Sequence, residues 1–348
     1  MAHNAIFSQH TIVAAGILTV AATTLGTYYY FSSKFKKSKF PNEWRAVGEV
    51  RKLCIYPFKS GKKLEVDQAE CTKRGLMEEE KFDKSFRLRD RSFVVYNEKS
   101  HKYVNSRHYP KMVLVEVRAE HMNHVLLNAP NMNTLLLQIP DRTRNKEVVV
   151  KHYRNEEIYS IDCGNEVASW ISQYILGEDS GLRIAFHDGS YERDQINNLY
   201  KDKIDYYKRG LGNESSGLNS DLTSMHIINQ ASVADINRRM NNSDINADYF
   251  RSNLVVDGAK LKPYEEDDWL WIKVGDVIMK NVVECMRCSI TTTNPETGVR
   301  RDDKEPLTTM KNFRISKGPE KAPVMGILLE VFQTGNISVG DVVYVGKD

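Results

Sequence analysis

The stretch FVVYNEKSHKYVNSRHYPKMVLVEV, residues 93–117, sets the reading of the chain. Residues 93–96, 102–104 and 112–117 are short runs rich in Val, Leu, Tyr and Phe, and the polar NEKSH at 97–101 has the composition of a hairpin loop. Runs of the same kind lie at 50–58, 125–127, 134–139 and 148–152. Strands spaced this closely predict a barrel or curved sheet rather than βαβ units. A helix is expected at 165–176, where Val167, Ile171, Tyr174 and Ile175 share one face and Gly177 supplies the stop. A strand follows at 182–186.

Residues 191–221 hold paired charges, Asn-rich dipeptides and GLGNESSG, the composition of a boundary or long exposed loop. Beyond them, Ser232 and Asp235 form a capping box that opens a short helix over 233–240. Strands are expected at 254–256, 269–274, 277–279, 326–331 and 342–345. The fold class is therefore mainly β with some α: one β unit over residues 47–190 and a second over 191–348.

The length of 348 residues is about twice that of a usual domain, which agrees with two units. With 49 basic and 46 acidic residues the net charge is +3, too small for a protein built around nucleic acid. Five cysteines, an odd number in a long chain, argue for a reducing compartment and for cysteine as ligand or nucleophile rather than staple.

One segment departs from this average. Residues 11–31, TIVAAGILTVAATTLGTYYYF, carry no charge, and a helix of that length at about 1.5 Å per residue covers roughly the 30 Å core of a bilayer. Tyr28, Tyr29 and Tyr30 lie at its end, Lys34, Lys36, Lys37 and Lys39 follow, and the tail at 1–10 has no Lys or Arg. The positive-inside rule then predicts a membrane helix with a basic linker at 32–46 and the globular remainder in the cytosol. The rival reading, a cleaved signal peptide, wants its positive charge ahead of the apolar run.

Four motifs could carry chemistry. Cys285-Met286-Arg287-Cys288 offers two thiols, too few for structural zinc, and the turn-forming TTTNPETG after it does not suit a thioredoxin-like pair at a helix start. A thiolate favoured by Arg287 and ligating a transition metal is one reading; two buried small side chains is the other. Lys59-Ser60-Gly61-Lys62-Lys63 could present a cation, a hydroxyl and backbone N–H groups to a phosphate, or could be a solvated basic turn. In RLRDR, Arg87, Arg89 and Arg91 alternate on one face of an expected strand, where like charges repel unless something anionic or aromatic covers them. Phe250-Arg251-Ser252-Asn253 places a forked donor and an amide at the mouth of a strand.

Taken together, YPFKS at 56–60, RLRDRSF at 87–93, FRSNLVV at 250–256, GD at 275–276 and CMRC with TTTNPETG make the chain resemble the MOSC-domain proteins from about Val47 onward. With the apolar segment in front it is similar to the amidoxime-reducing group among them. The resemblance implies an amino-terminal MOSC β-barrel domain followed by a MOSC β-barrel domain. It also implies a molybdenum cofactor, a molybdopterin carrying a phosphate, and, as a lesser implication, pyridoxal phosphate binding. The family's metal-ligating cysteine falls on Cys288, and its cofactor-holding positions fall on Lys59, Ser60, Arg91, Asp221, Thr223, Arg251, Asn253 and Arg287. Ser252 stands where relatives carry Pro, and Thr223 where they carry Ser. Cys285 is read as structural.

The implied reaction is reduction of a small N-hydroxylated substrate, an amidoxime or hydroxylamine, with electrons from cytochrome b5 and its NADH-dependent reductase on the outer mitochondrial membrane. A MOSC-type sulfur carrier with a persulfide on Cys288, and a protein that stores or delivers the cofactor, are the alternatives.

Overall fold

Along Trp44–Ile55 apolar residues at Val50, Leu53 and Ile55 turn to one side, which gives a strand long enough to serve two neighbours. It pairs antiparallel with Val342–Gly346 through its first half and with Leu254–Asp257 through its second, with a register shift in each ladder. In the computed structural model, which describes residues 40–80, 86–195, 216–241 and 244–347, these pairings close a ring. The ring runs from Trp44–Ile55 through Leu254–Asp257, Met225–Asn229, Val324–Gln333, Val277–Met286 and Trp271–Val274 to Val342–Gly346: seven strands around one apolar core. Closure leaves no open edge among these strands. One stave thus comes from residues far ahead of the expected boundary at 190/191.

The remaining strands form smaller sheets. Glu147–Lys151, Glu157–Asp162, Leu182–Phe186, Phe93–Asn97 and Tyr103–Val104 pair in that order, and Glu116–Ala119, His124–Asn128 and Leu135–Gln138 make a three-stranded meander. Helix Asn165–Leu176 packs Val167, Ile171 and Ile175 into the core they share with it, and Gly177 closes it in the left-handed conformation at φ 77°.

Several expectations change. RLRDR is no strand: Asp90 and Arg91 form a turn with Arg91 at φ 52°, so the three arginines diverge. Arg87 pairs with Glu70, Arg89 reaches Met77 Sδ, and Arg91 alone of the three enters the site described below. The helix expected at 233–240 runs over Gln230–Met240, because Asn229 caps it by accepting from Ala231 N. Ser232 instead donates to Glu266, and Asp235 takes Arg238 and Arg239. Pro110 starts a short 3₁₀ turn over Pro110–Leu114, which delays the strand expected at 112–117 to Glu116–Ala119. The strand expected at 277–279 continues to Met286 and so carries Cys285 inside the sheet. No described helix is long and apolar enough to cross a membrane; residues 11–31 and the linker to Lys39 lie outside the described residues.

Candidate functional site

The strand Val277–Met286 ends at the rim of a cavity of about 300 Å³, and all nine residues singled out in the sequence line it. Lys59, Ser60 and Arg91 come from the two turns that flank Tyr56 and Phe93; Arg251 and Asn253 lead into Leu254–Asp257; Asp221 and Thr223 precede Met225–Asn229. Arg287 and Cys288 complete the wall.

The end of the CMRC segment explains why its two cysteines differ. Cys285 is inside the sheet and buried, and burial raises its thiol pKa. Three residues on, past the strand end, Cys288 heads the short 3₁₀ turn Ser289–Thr292 and is the one exposed cysteine of the five. The Arg287 guanidinium turns away from Cys288: Nη1 donates to Cys285 Sγ at 2.9 Å and Nη2 to the Phe250 carbonyl at 2.8 Å. The expectation that Arg287 acts directly on the Cys288 sulfur is replaced by a pairing with Cys285.

The basic turn at 59–63 divides in the same way. Lys62 pairs with Glu116, and Lys63 bridges the buried Asp248 and the exposed Glu65, so both are spent outside the cavity. Lys59 is buried: its Nζ donates to the Asn219 carbonyl at 2.6 Å and to Asp221 Oδ1 at 2.7 Å, and lies 5.4 Å from the centre of the Tyr103 ring. Burial pushes the Lys59 ammonium down, against the pull of Asp221. The protein atoms crowded around the Asp221 carboxyl would raise it, but the charge and hydrogen bond of Lys59, with Arg107 and Arg91 behind it, hold it well below the usual carboxylate range, while its side chain stays 77% exposed to the open cavity. Ser60 adopts φ 69°, and a Cβ on Gly61 would meet the Val115 carbonyl at 2.8 Å, so this turn needs glycine at its third position.

Two guanidiniums share one aromatic ring. Arg251 lies 4.3 Å and Arg91 5.4 Å from the centre of the buried Tyr56 ring, whose π-face offsets part of their mutual repulsion. Asp90 pairs with Arg91 and accepts from Tyr56 N and Asn253 Nδ2. Burial, with the like charges of Arg91 and Arg287, pushes Arg251 down to about 10. Arg251 Nη1 donates to the Gly61 carbonyl at 2.7 Å, but its Nη2 is buried without a partner, as is Nε of Arg287. Buried donors with nothing to bond, on two partly buried cations that line one cavity, suit an anion.

The other residues are structural to differing degrees. Asn253 uses its whole amide on the scaffold, donating to the Cys54 carbonyl and Asp90 and accepting from His226 N. Thr223 donates to the Met225 carbonyl. Both line the cavity, yet their polar atoms are already engaged.

Sequence reasoning missed the device that shapes the Asp221 loop. Arg193, buried, takes Glu156 in a fork at 2.8 and 2.6 Å and donates to the carbonyls of Gly217 and Ser220 at 2.6 and 2.9 Å. Asn219 Nδ2 adds a bond to the Arg91 carbonyl at 2.8 Å. No local signal marks Arg193, which reads as one charge in a charged loop. Tyr103, Arg107, Arg154 and Glu320, also missed, line the cavity near its opening, and Arg107 stands within electrostatic reach of Cys288 and Asp221. Among the described residues no three His, Cys, Asp or Glu side chains converge to hold a metal, so a metal at Cys288 would need to bring most of its ligands with it.

The chain matches the model of the MOSC N-terminal beta barrel domain over residues 47–178 and that of the MOSC domain over 217–344. It is 32% identical over 343 residues to mitochondrial amidoxime reducing component 2 of Rattus norvegicus, covering 97% of this chain and 94% of that one. It is 33% identical over 342 residues to mitochondrial amidoxime-reducing component 1 of Danio rerio, covering 97% and 96%, and 34% identical over 307 residues to component 1 of Homo sapiens, covering 86% and 83%. A seven-stranded barrel, a cavity lined by all nine residues and this likeness over nearly the full length lead to one conclusion: the chain belongs to the MOSC-domain family of the mitochondrial amidoxime-reducing components.

Proposed function

We propose that this protein is a molybdenum-cofactor oxidoreductase that reduces N-hydroxylated compounds, amidoximes and hydroxylamines, to amidines and amines. One observation carries the reading: an exposed thiol, Cys288, lines the same cavity as two guanidiniums that each hold one buried, unpartnered N–H donor. A phosphate-bearing pterin with its own sulfur ligands fits both features, since it offers oxygen acceptors to Arg251 and Arg287 and leaves one metal position for a protein thiolate. Lys59, Ser60 and Arg91 would hold its anionic end, and Cys288 would ligate the metal. When bound, the cofactor supplies the two-electron chemistry by which substrate oxygen is removed.

The protein's own part is to position and to neutralise. Asp221 fixes the buried Lys59 cation in the cavity wall, and Tyr56 lets Arg91 and Arg251 approach one anion together. Electrons come from outside the chain, from cytochrome b5 and its NADH-dependent reductase. An amino-terminal membrane helix at 11–31 places the catalytic unit on the cytosolic face of the outer mitochondrial membrane, where all three proteins share one surface and a raised effective concentration.

The test is turnover by the full chain in detergent, isolated with its cofactor and supplied with reduced methyl viologen and benzamidoxime. Benzamidine is the expected product, and Cys288→Ser lowers its rate at least a hundredfold together with molybdenum content. A protein that holds molybdenum but never forms benzamidine is a store or carrier of the cofactor. One that lacks molybdenum and carries labile sulfur on Cys288 is a sulfur carrier.

A further inference from the structure

The cavity opening holds an ion pair that the cofactor-binding residues do not account for. Arg154 Nη2 donates to Glu320 Oε1 at 2.5 Å, and both side chains line the same cavity as Cys288. They belong to separate segments: Arg154 and Asn155 are consecutive residues at positive φ, 56° and 60°, in the turn Tyr153–Asn155, whereas Glu320 lies in the loop before Val324–Gln333. The Arg154 guanidinium also sits 5.3 Å from the centre of the Tyr153 ring, itself 41% exposed. A planar N–C–N fork is therefore held at the mouth of the reaction cavity between a carboxylate and an aromatic face. The two side chains are 31% and 38% exposed, so the pair is hydrated and weak compared with the buried pairs deeper in.

We propose that Glu320, with Tyr153, is the recognition site for the amidine-shaped end of substrate and product, and that Arg154 occupies it as a built-in competitor when no ligand is present. The inference rests on the reductase reading for the identity of the ligand, an amidinium or guanidinium group or its N-hydroxylated precursor. The chemistry is that of exchange: one forked N–H donor replaces another on the same carboxylate, so little hydrogen bonding is lost. The ring that now receives Arg154 then receives the planar ligand. Because a solvated pair of this kind biases its equilibrium by no more than about fivefold, Arg154 lowers the apparent affinity by at most about that factor. The exchange thereby favours forked N–H donors at Glu320 and leaves ligands without a fork unaffected.

The experiment is equilibrium binding of benzamidine to the full chain in detergent, without reductant, with benzamide as the uncharged isostere. Arg154→Gln tightens benzamidine binding by up to about fivefold, as expected for removal of a competitor. Glu320→Gln weakens it at least tenfold, about the loss expected for one charged hydrogen bond. The double variant matches Glu320→Gln, and benzamide affinity is the same in all four proteins. Thermal melting of each variant, unchanged from the parent, shows that binding rather than folding is being read. Equal benzamidine affinity in the parent and Glu320→Gln, or a benzamide affinity that follows the same order, overturns the assignment. Because no turnover is measured, a protein that binds benzamidine through Glu320 but never reduces benzamidoxime refutes the reductase reading and leaves the site in place.

Discussion

The two ends of the cavity are both lined by arginine, yet they are built differently. At the deep wall Lys59, Arg91 and Arg251 are fixed by backbone carbonyls, by Asp90 and Asp221 and by the Tyr56 ring. At the mouth Arg154 pairs with Glu320 and lies over the Tyr153 ring, both partly open to solvent. The difference teaches what each end is for. Buried like charges are costly to assemble and make sense where one anion stays bound; a hydrated pair is cheap to open and suits a ligand that comes and goes.

The largest effect should come from the pair that holds the deep wall in shape. Arg193→Met strands Glu156 without a partner in the interior and should lower unfolding stability by about 3 to 5 kcal/mol in urea titrations, while Arg193→Met with Glu156→Leu recovers most of that loss. A single variant as stable as the parent would mean that the Gly217–Asp221 loop is held by something else. Next in size, Arg251→Ala should weaken cofactor retention by about 1.5 to 3 kcal/mol, read as molybdenum and pterin content after extended dialysis, because it removes the unpartnered donor together with its charge. Arg154→Ala should leave retention unchanged; equal losses from the two variants would erase the distinction between the ends. The smallest effect concerns the cysteines. Cys285→Ala should cost roughly 1 kcal/mol through the lost Arg287 contact, and in the folded, cofactor-free parent iodoacetamide should label Cys288 ahead of the other four, read by peptide mass spectrometry.

The comparison also shows which parts of the site were legible. Residue types and motif resemblance found Lys59, Arg91, Arg251 and Cys288, because forked donors, a thiol and a tight Gly-containing turn advertise anion and metal chemistry wherever they occur. They could not find Arg193 or Glu156. These two meet across 37 positions, and their importance lies in the carbonyls of Gly217 and Ser220 that Arg193 also binds. The partner of Arg287 is hidden for a related reason: Cys288 is its neighbour in sequence and Cys285 lies two positions away, and only the end of the strand at Met286 decides that its guanidinium meets the farther sulfur. RLRDR has the charge alternation that a strand would show, whereas Asp90 and Arg91, the latter at φ 52°, form a turn fixed by Tyr56 and Asp90.

Local features were written in the chain itself. The helix Asn165–Leu176 and its glycine stop follow from spacing and from the conformational freedom of Gly177, and the many short β runs follow from side-chain type, since both depend on neighbours a few residues away. Tertiary structure alone decided that Trp44–Ile55 closes the barrel, that Lys59 meets Asn219 across 160 positions and that Arg251 meets Gly61 across 190. Such contacts depend on which buried surfaces and unsatisfied donors come together once the ring of strands is complete, and no local pattern encodes that.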